Sequence, residues 1–281
     1  MSILNGYCTL ADFKAFITPP GQELSVDMAD DAFIDDVIMT ASRRVDDLLG
    51  RTFYPRIETY HYDIPDDNVI WFDDDLLEVL TFTNGDDTVI ASTQYILKPT
   101  NTYPKYMLKM RDISTTTFVM DSNSSSEEVL DVTAIMGFHE WYDHRAWILG
   151  GTLSAAWAST STLSAAITLG HTLENIGGQV IRIDNEILNT QSVTTVVLNV
   201  LSRGDNGSTA ATHLINAPVY YWKPMEPIKK LAMAVAQIDY KARYGENIET
   251  TAITTSAGVI ITPRSLPVSA QEVIRKYQRI V

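Results

Sequence analysis

Apolar residues recur at three- and four-residue spacing in four stretches and alternate at period two through most of what lies between. The chain therefore reads as helices at both ends around a long β region. In "TLADFKAFI", Thr9 stands as N-cap with Asp12 three residues on. Leu10, Phe13, Phe16 and Ile17 form one side, and Pro19-Pro20-Gly21 ends the helix. A longer helix follows in "AFIDDVIMTASRRVDDLLG", where Phe33, Ile34, Val37, Ile38, Ala41, Val45, Leu48 and Leu49 share a face and Gly50 supplies the C-cap. Its polar face carries Asp30, Asp31, Asp35, Asp36, Asp46 and Asp47. From 55 to 138 the period changes to two, in runs such as "VIWF", "LEVLTF", "TVIA", "TTFVM" and "VLDVTAIMGF", and Asn84-Gly85 marks a hairpin.

The stretch "LGGTLSAAWASTSTLSAA" is small, polar and aperiodic, which reads as a linker. Residues 163–222 are β by pattern again. Within them "LSRGDNGSTAATH" places Gly204, Asp205, Asn206 and Gly207 between two apolar runs, where a hairpin needs positive backbone angles. Arg203-Gly204-Asp205 is thus turn chemistry rather than an adhesion tripeptide. Pro227 opens a third helix with Ile228, Leu231, Ala232, Val235, Ile238 and Ala242 on one face and Gly245 as its stop. After a polar tail, 246–268, Ser269 and Glu272 form a capping-box pattern for a last helix whose apolar residues are Val273, Ile274, Tyr277, Ile280 and Val281. So short a helix is marginal alone, and a tail of that length reaches about 75 Å when extended. The expectation is that the helix docks on another molecule.

The 281 residues suffice for a conventional core, with a prior of about two domains. A single cysteine, Cys8, excludes an intramolecular disulfide. The start lacks a basic segment followed by an apolar one, and no run approaches the roughly 20 apolar residues of a membrane span, so a soluble protein with no membrane role is expected. The formal charge of -14 is uneven: residues 1–150 hold 26 acids and 10 bases, whereas 151–281 hold 9 and 11. An acidic first half disfavours tight phosphate binding and suits a surface past which DNA slides without specific binding.

Catalytic chemistry finds little support. In "GFHEWYDHR", His139 and His144 are five apart, about 140° around a helix, where a zinc pair needs a separation of four. Asp73-Asp74-Asp75 and Asp86-Asp87 lack the alternating ligands and central glycine of a calcium loop. No phosphate-cradling glycine loop or nucleophile elbow occurs. The expectation is a non-enzyme with no catalytic, cofactor-binding or metal site and no cofactor.

The order of elements, "YCTLADFKAFI" followed by "DDAFIDDVIMTASRRVDDLLGRTFYP", resembles the opening of tailed-bacteriophage head-tail connector proteins, also called adaptor or head-completion proteins. "EPIKKLAMAVAQIDYKARYG" and "RSLPVSAQEVIRKYQRIV" are similar to their penultimate helix and C-terminal arm. About 90 residues at the two ends carry the likeness. Between them, "IRIDNEILNT" and "RGDNGSTAATH" look like a small β module of phage tail and baseplate proteins, with Arg203 and His213 bracing the turn.

The resemblance implies an α+β chain: a helical adaptor core (1–148 and 223–245) with an antiparallel β-sheet region at 55–138, an inserted all-β module (149–222) and an extended C-terminal arm (246–281) ending in a short helix. It implies a structural virion protein of the neck, assembled in the host cytoplasm. Such a protein forms a homo-oligomeric ring, usually of about twelve subunits, between the portal protein and the tail nozzle, tube or fibre proteins. Genome ejection would pass through that ring. Val273, Ile274, Arg275, Lys276, Tyr277, Arg279 and Ile280 are then the expected portal-binding residues, and the six aspartates of the second helix the expected channel-facing acids. The alternative is a tail-associated adhesin or carbohydrate-binding accessory using Trp141, Tyr142, Trp147, Trp157, Tyr220, Tyr221 and Trp222.

Overall fold

The computed structural model describes residues 3–18, 30–169, 178–194, 196–243, 253–254, 260–261 and 266–279. Helices α1 (Leu10–Ile17) and α2 (Asp31–Leu49) precede a sheet built from β1 (Arg56–Tyr62), β2 (Val69–Thr83), β3 (Tyr95–Lys98), β4 (Lys105–Met110) and β5 (Leu130–Met136). The sheet is antiparallel, in the order β1-β5-β2-β4-β3. One π-helical turn (Tyr142–Ala146) leads into β6 (Trp147–Leu153), β7 (Ser164–Leu169), β8 (Val180–Ile183), β9 (Glu186–Val193), β10 (Val197–Val200) and β11 (Pro218–Trp222). These six close into a barrel in the order β10-β7-β6-β11-β8-β9. Helix α3 (Glu226–Arg243), a two-stranded pair, β12 (Ile253–Thr254) with β13 (Ile260–Ile261), and helix α4 (Val268–Tyr277) complete the chain.

The fold class differs from the expectation of a helical adaptor core. Most of the regular structure is β, in two main antiparallel sheets of which one is a closed six-stranded barrel, and the helices are the minor component. The expected linker supplies two barrel strands, β6 and β7. Its residues lack a conspicuous alternation because the interior of so small a barrel takes few large side chains, here Leu153, Trp157, Ala165 and Ile167. The runs "TVIA" and "TTFVM" form no strand; the first contributes one bridge, Thr83 to Val89.

Local signals explain the helix ends. Thr9 and Asp12 form the capping box that starts α1. Gly50, at φ +60°, ends α2 in the left-handed conformation that glycine adopts without strain. The capping box expected at Ser269 and Glu272 is absent, because α4 begins at Val268 behind Pro267 with no side-chain cap. The stop expected at Gly245 lies outside the described residues.

Among the described residues, four apolar clusters hold the molecule together. One joins both chain ends: Phe13 of α1, Ile34, Ile38, Ala41 and Val45 of α2, Ile228, Leu231 and Val235 of α3, and Ala270 and Tyr277 of α4. Each large aliphatic side chain buried there contributes about 1.5–3 kcal/mol. The sheet and the barrel have cores of their own. A fourth cluster, including Leu77, Ile135, Tyr142, Val180, Ile187 and Trp222, seals sheet to barrel, and Trp222 Nε1 donates to the Phe53 carbonyl at 3.1 Å.

Candidate functional site

The terminal helix does not stand free, and this corrects the expectation that it must find its home on another molecule. Tyr277 is buried, its ring meeting Phe138 edge to face at 5.8 Å, and Val273 and Ile274 pack partly buried on the same cluster. Lys276 Nζ pairs with Glu140 at 3.0 Å, and the Tyr277 hydroxyl donates to the same carboxylate at 3.1 Å. Arg279 completes a latch: its backbone N–H donates to the Leu49 carbonyl at 2.8 Å, and its guanidinium reaches the Asp73 carbonyl and the Asp74 carboxylate. An amphipathic α4 with one apolar face satisfies that face on whichever groove is nearest, and here α2 and α3 provide one. Of the expected portal contacts, Arg275 is exposed and outside this network, Lys276 is exposed but paired, and Ile280 lies outside the described residues.

The acidic face of α2 is partly neutralised. Asp31 pairs with Lys14, and Asp46 accepts from the Tyr7 hydroxyl and pairs with Arg43 at 3.1 Å. Burial pushes the carboxyls of Asp46 and Asp35 up to about 6. Asp30 and Asp36 are half-buried, and Asp47 is exposed. The Asp73-Asp74-Asp75 run lies in β2 and faces arginines: Arg51 bonds Asp75 at 2.8 Å, and Arg56 and Arg279 pair with Asp74. This triple is an anchor for cations from three segments.

His139 and His144 do not converge. His139 is buried, accepts from the Trp141 N–H at Nδ1 (3.1 Å) and faces the Lys223 carbonyl with Nε2 (3.2 Å). Burial pulls its pKa down to about 4 and leaves it neutral. His144 is exposed. Among the described residues no group of three or more His, Cys, Asp and Glu gathers as a metal site, and no helix is long and apolar enough to cross a membrane. Trp157, Trp222 and Tyr142 are buried in cores, so the aromatic set does not form one surface platform.

The hairpin "RGDNGSTAATH" carries a dense polar network. Glu186, buried at the start of β9, accepts two parallel bonds from Arg203 at 2.8 Å and further bonds from the N–H groups of Gly204 and Ala211. His213 donates to Glu186 at 2.7 Å and to Asp184 at 2.8 Å, which requires the imidazolium form. Burial opposes the charge on Glu186, but Arg203 and then His213 outweigh it and hold the carboxyl at about 2. For His213 burial likewise opposes the charge, and bonds to Glu186 and Asp184 raise its pKa. The Arg203 guanidinium also lies 3.9 Å from the Trp157 ring centroid.

Asp205 is occupied: its carboxylate accepts from Ser202 and from the backbone and side-chain N–H of Asn189. An adhesion receptor would have to replace these bonds to read it. The next two residues dock the barrel on the rest of the chain. Asn206 exchanges two amide bonds with Asn5, donates to the Pro55 carbonyl at 2.9 Å and accepts from the Ile57 N–H at 2.7 Å. Gly207, at φ +76°, sits so close that a Cβ would lie 2.1 Å from the Ile57 carbonyl oxygen. This docking role left one trace in the sequence, the Asn-Gly pair, and that trace is equally satisfied by a free turn. Comparison of the chain with protein-family models and with curated proteins returned no match.

Proposed function

We propose that this chain is a structural subunit of a bacteriophage neck, forming a ring that joins the portal to the tail and continues the DNA channel. The observation that carries this reading is spatial. The two chain ends that resemble connector proteins, separated by Arg56 to Met225 and so by roughly 600 Å of fully extended chain, share one apolar cluster, with sheet and barrel interposed between α2 and α3. An apolar cluster closed by both termini suits a subunit whose interposed parts vary while its ring-forming frame does not.

In this reading Arg275 faces the portal, and Tyr277 with Arg279 holds α4 in position. The acidic excess of the first 150 residues keeps passing DNA mobile by repulsion. The tail engages the sheet or barrel side. The test is electron microscopy of the full chain, alone and with the portal protein of the same virus. Rings seated beneath the portal are expected, and Arg275→Glu should weaken seating while leaving the fold intact. A chain that forms no ring alone or on the portal overturns the reading.

A further inference from the structure

The five-stranded sheet has two edges, and only one of them is defended. β3, at one edge, is four residues long and runs into Lys98 and Pro99, a lysine and a proline of the kind that keep an edge from accepting another strand. β1, at the other, runs seven residues in unbroken register with β5 and holds no lysine, proline or bulge between Arg56 and Tyr62. We propose that the β1 edge takes the C-terminal arm of a neighbouring copy of this chain, whose β12–β13 pair extends the sheet. This contact rests on the ring reading and names the two surfaces that build the ring.

Hydrogen bonding shows which backbone groups of β1 point outward. In an antiparallel pair, alternate residues bond across the ladder and those between them face away. The Ile57 N–H faces away from β5, since it donates to the Asn206 carbonyl at 2.7 Å. Thr59 and His61 therefore face away as well. Asn206 and Gly207 cover only the Ile57 end of the edge. Among the described residues no backbone bond reaches Thr59 or His61 from outside the sheet, and both residues are exposed.

The arm has the converse defect. β12 and β13 pair only with one another among the described residues, and a two-stranded ribbon is marginal in water without a third strand. From Thr250 to Pro263 the sequence "TTAITTSAGVIITP" carries no charge and is rich in Thr, Ile and Val, the composition of a strand and, if left uncovered, of an aggregation site. The helices on either side of it, α3 and α4, are both fixed on the cluster that joins the chain ends. Each copy thus offers an undefended edge and an unfinished ribbon that do not pair within the chain. Pairing between copies completes both. Main-chain bonds carry such an addition, so the uncharged arm is indifferent to Glu58, Asp63 and Asp131 beside the edge. Because edge and ribbon are different surfaces, the contact is head to tail and propagates until it closes on itself.

The test uses two variants of the full chain. The edge variant, Thr59→Pro with His61→Pro, removes the two outward N–H groups and spares the bonds from β1 to β5. The arm variant replaces residues 250–262 by glycine and serine and leaves the sheet untouched. Circular dichroism is the folding control, and single-particle mass measurement, with and without portal protein, is the readout. The unaltered chain should form rings. Each variant should associate at least about 10-fold more weakly and run as a monomer, and a mixture of the two should stop at one-to-one dimers, since each keeps one intact surface. Hydrogen exchange reads the same contact without altering the sheet: the Thr59 and His61 amides should be protected in the assembled chain and exchange freely in the arm variant, a comparison that decides alone if the edge variant misfolds. Rings from either folded variant, a mixture without dimers, or equal protection of both amides in the arm variant overturn this contact and leave the ring itself standing; absence of rings from the unaltered chain overturns both.

Discussion

In the barrel, the side chains of Glu186 and Arg203 pair while 0% and 4% exposed; at the end of α4, those of Glu140 and Lys276 pair while 30% and 59% exposed. The chemistry is nearly the same, a carboxylate meeting a cation with an aromatic neighbour, and the surroundings set its worth. A buried pair is expensive to split because the partner left behind keeps its charge without water. An exposed pair loses little, since water and salt replace the partner.

The sharpest way to break this contrast is Glu186→Ala, which leaves Arg203 buried without its carboxylate and His213 with Asp184 as its remaining acidic partner. A loss of about 3–5 kcal/mol is expected in chemical denaturation. Tyr277→Ala comes next, at about 3 kcal/mol, because what holds α4 is the buried ring and not the ion pair beside it. Gly207→Ala should cost about 2 kcal/mol by forcing the turn off Ile57, and should loosen the barrel against the sheet without unfolding it, as hydrogen exchange at Ile57 and Asn206 would register. Smallest is Lys276→Met, expected within about 0.5 kcal/mol of the unaltered chain in the same denaturation assay.

Acidity separates the two regions further. Glu186 has a depressed folded pKa of about 2 against an ordinary 4.5, so its contribution is complete above 4.5 and is lost as pH falls from there toward 2. His213 has a raised pKa, so its contribution is complete below its ordinary 6.5 and is lost as pH rises through the raised value. Together they place the greatest stability of the barrel between about pH 4.5 and 6.5. A melting series across pH should show both limbs, and Glu186→Ala should flatten the acid one.

What could be read from the sequence followed from periodicity. α1 and α2 repeat their apolar residues over several turns and carry local stop signals, so their extents were legible from Thr9, Asp12 and Gly50. The barrel is less legible because β6 and β7 are rich in Gly, Ala and Thr, and a closed barrel is specified by pairing between distant strands rather than by any one segment. The bracing role of Arg203 and His213 was legible as turn chemistry, but their shared partner Glu186 was not, since 17 residues separate it from Arg203. The placement of α4 is not legible for a similar reason. Length and amphipathicity state that a helix needs a groove, and they do not state whose.

The order of segments along the chain also fixes an order of events. Sheet strands run without interruption from Arg56 to Met136 and barrel strands from Trp147 to Trp222, so each can close as soon as its own stretch has left the ribosome. α1 and α2 precede the sheet in the chain yet must wait for α3 and for Tyr277 of α4 to close their cluster. A nascent chain therefore carries the apolar faces of α1 and α2 uncovered while the whole of the sheet and the barrel is made, the interval in which a chaperone would have the most to hold.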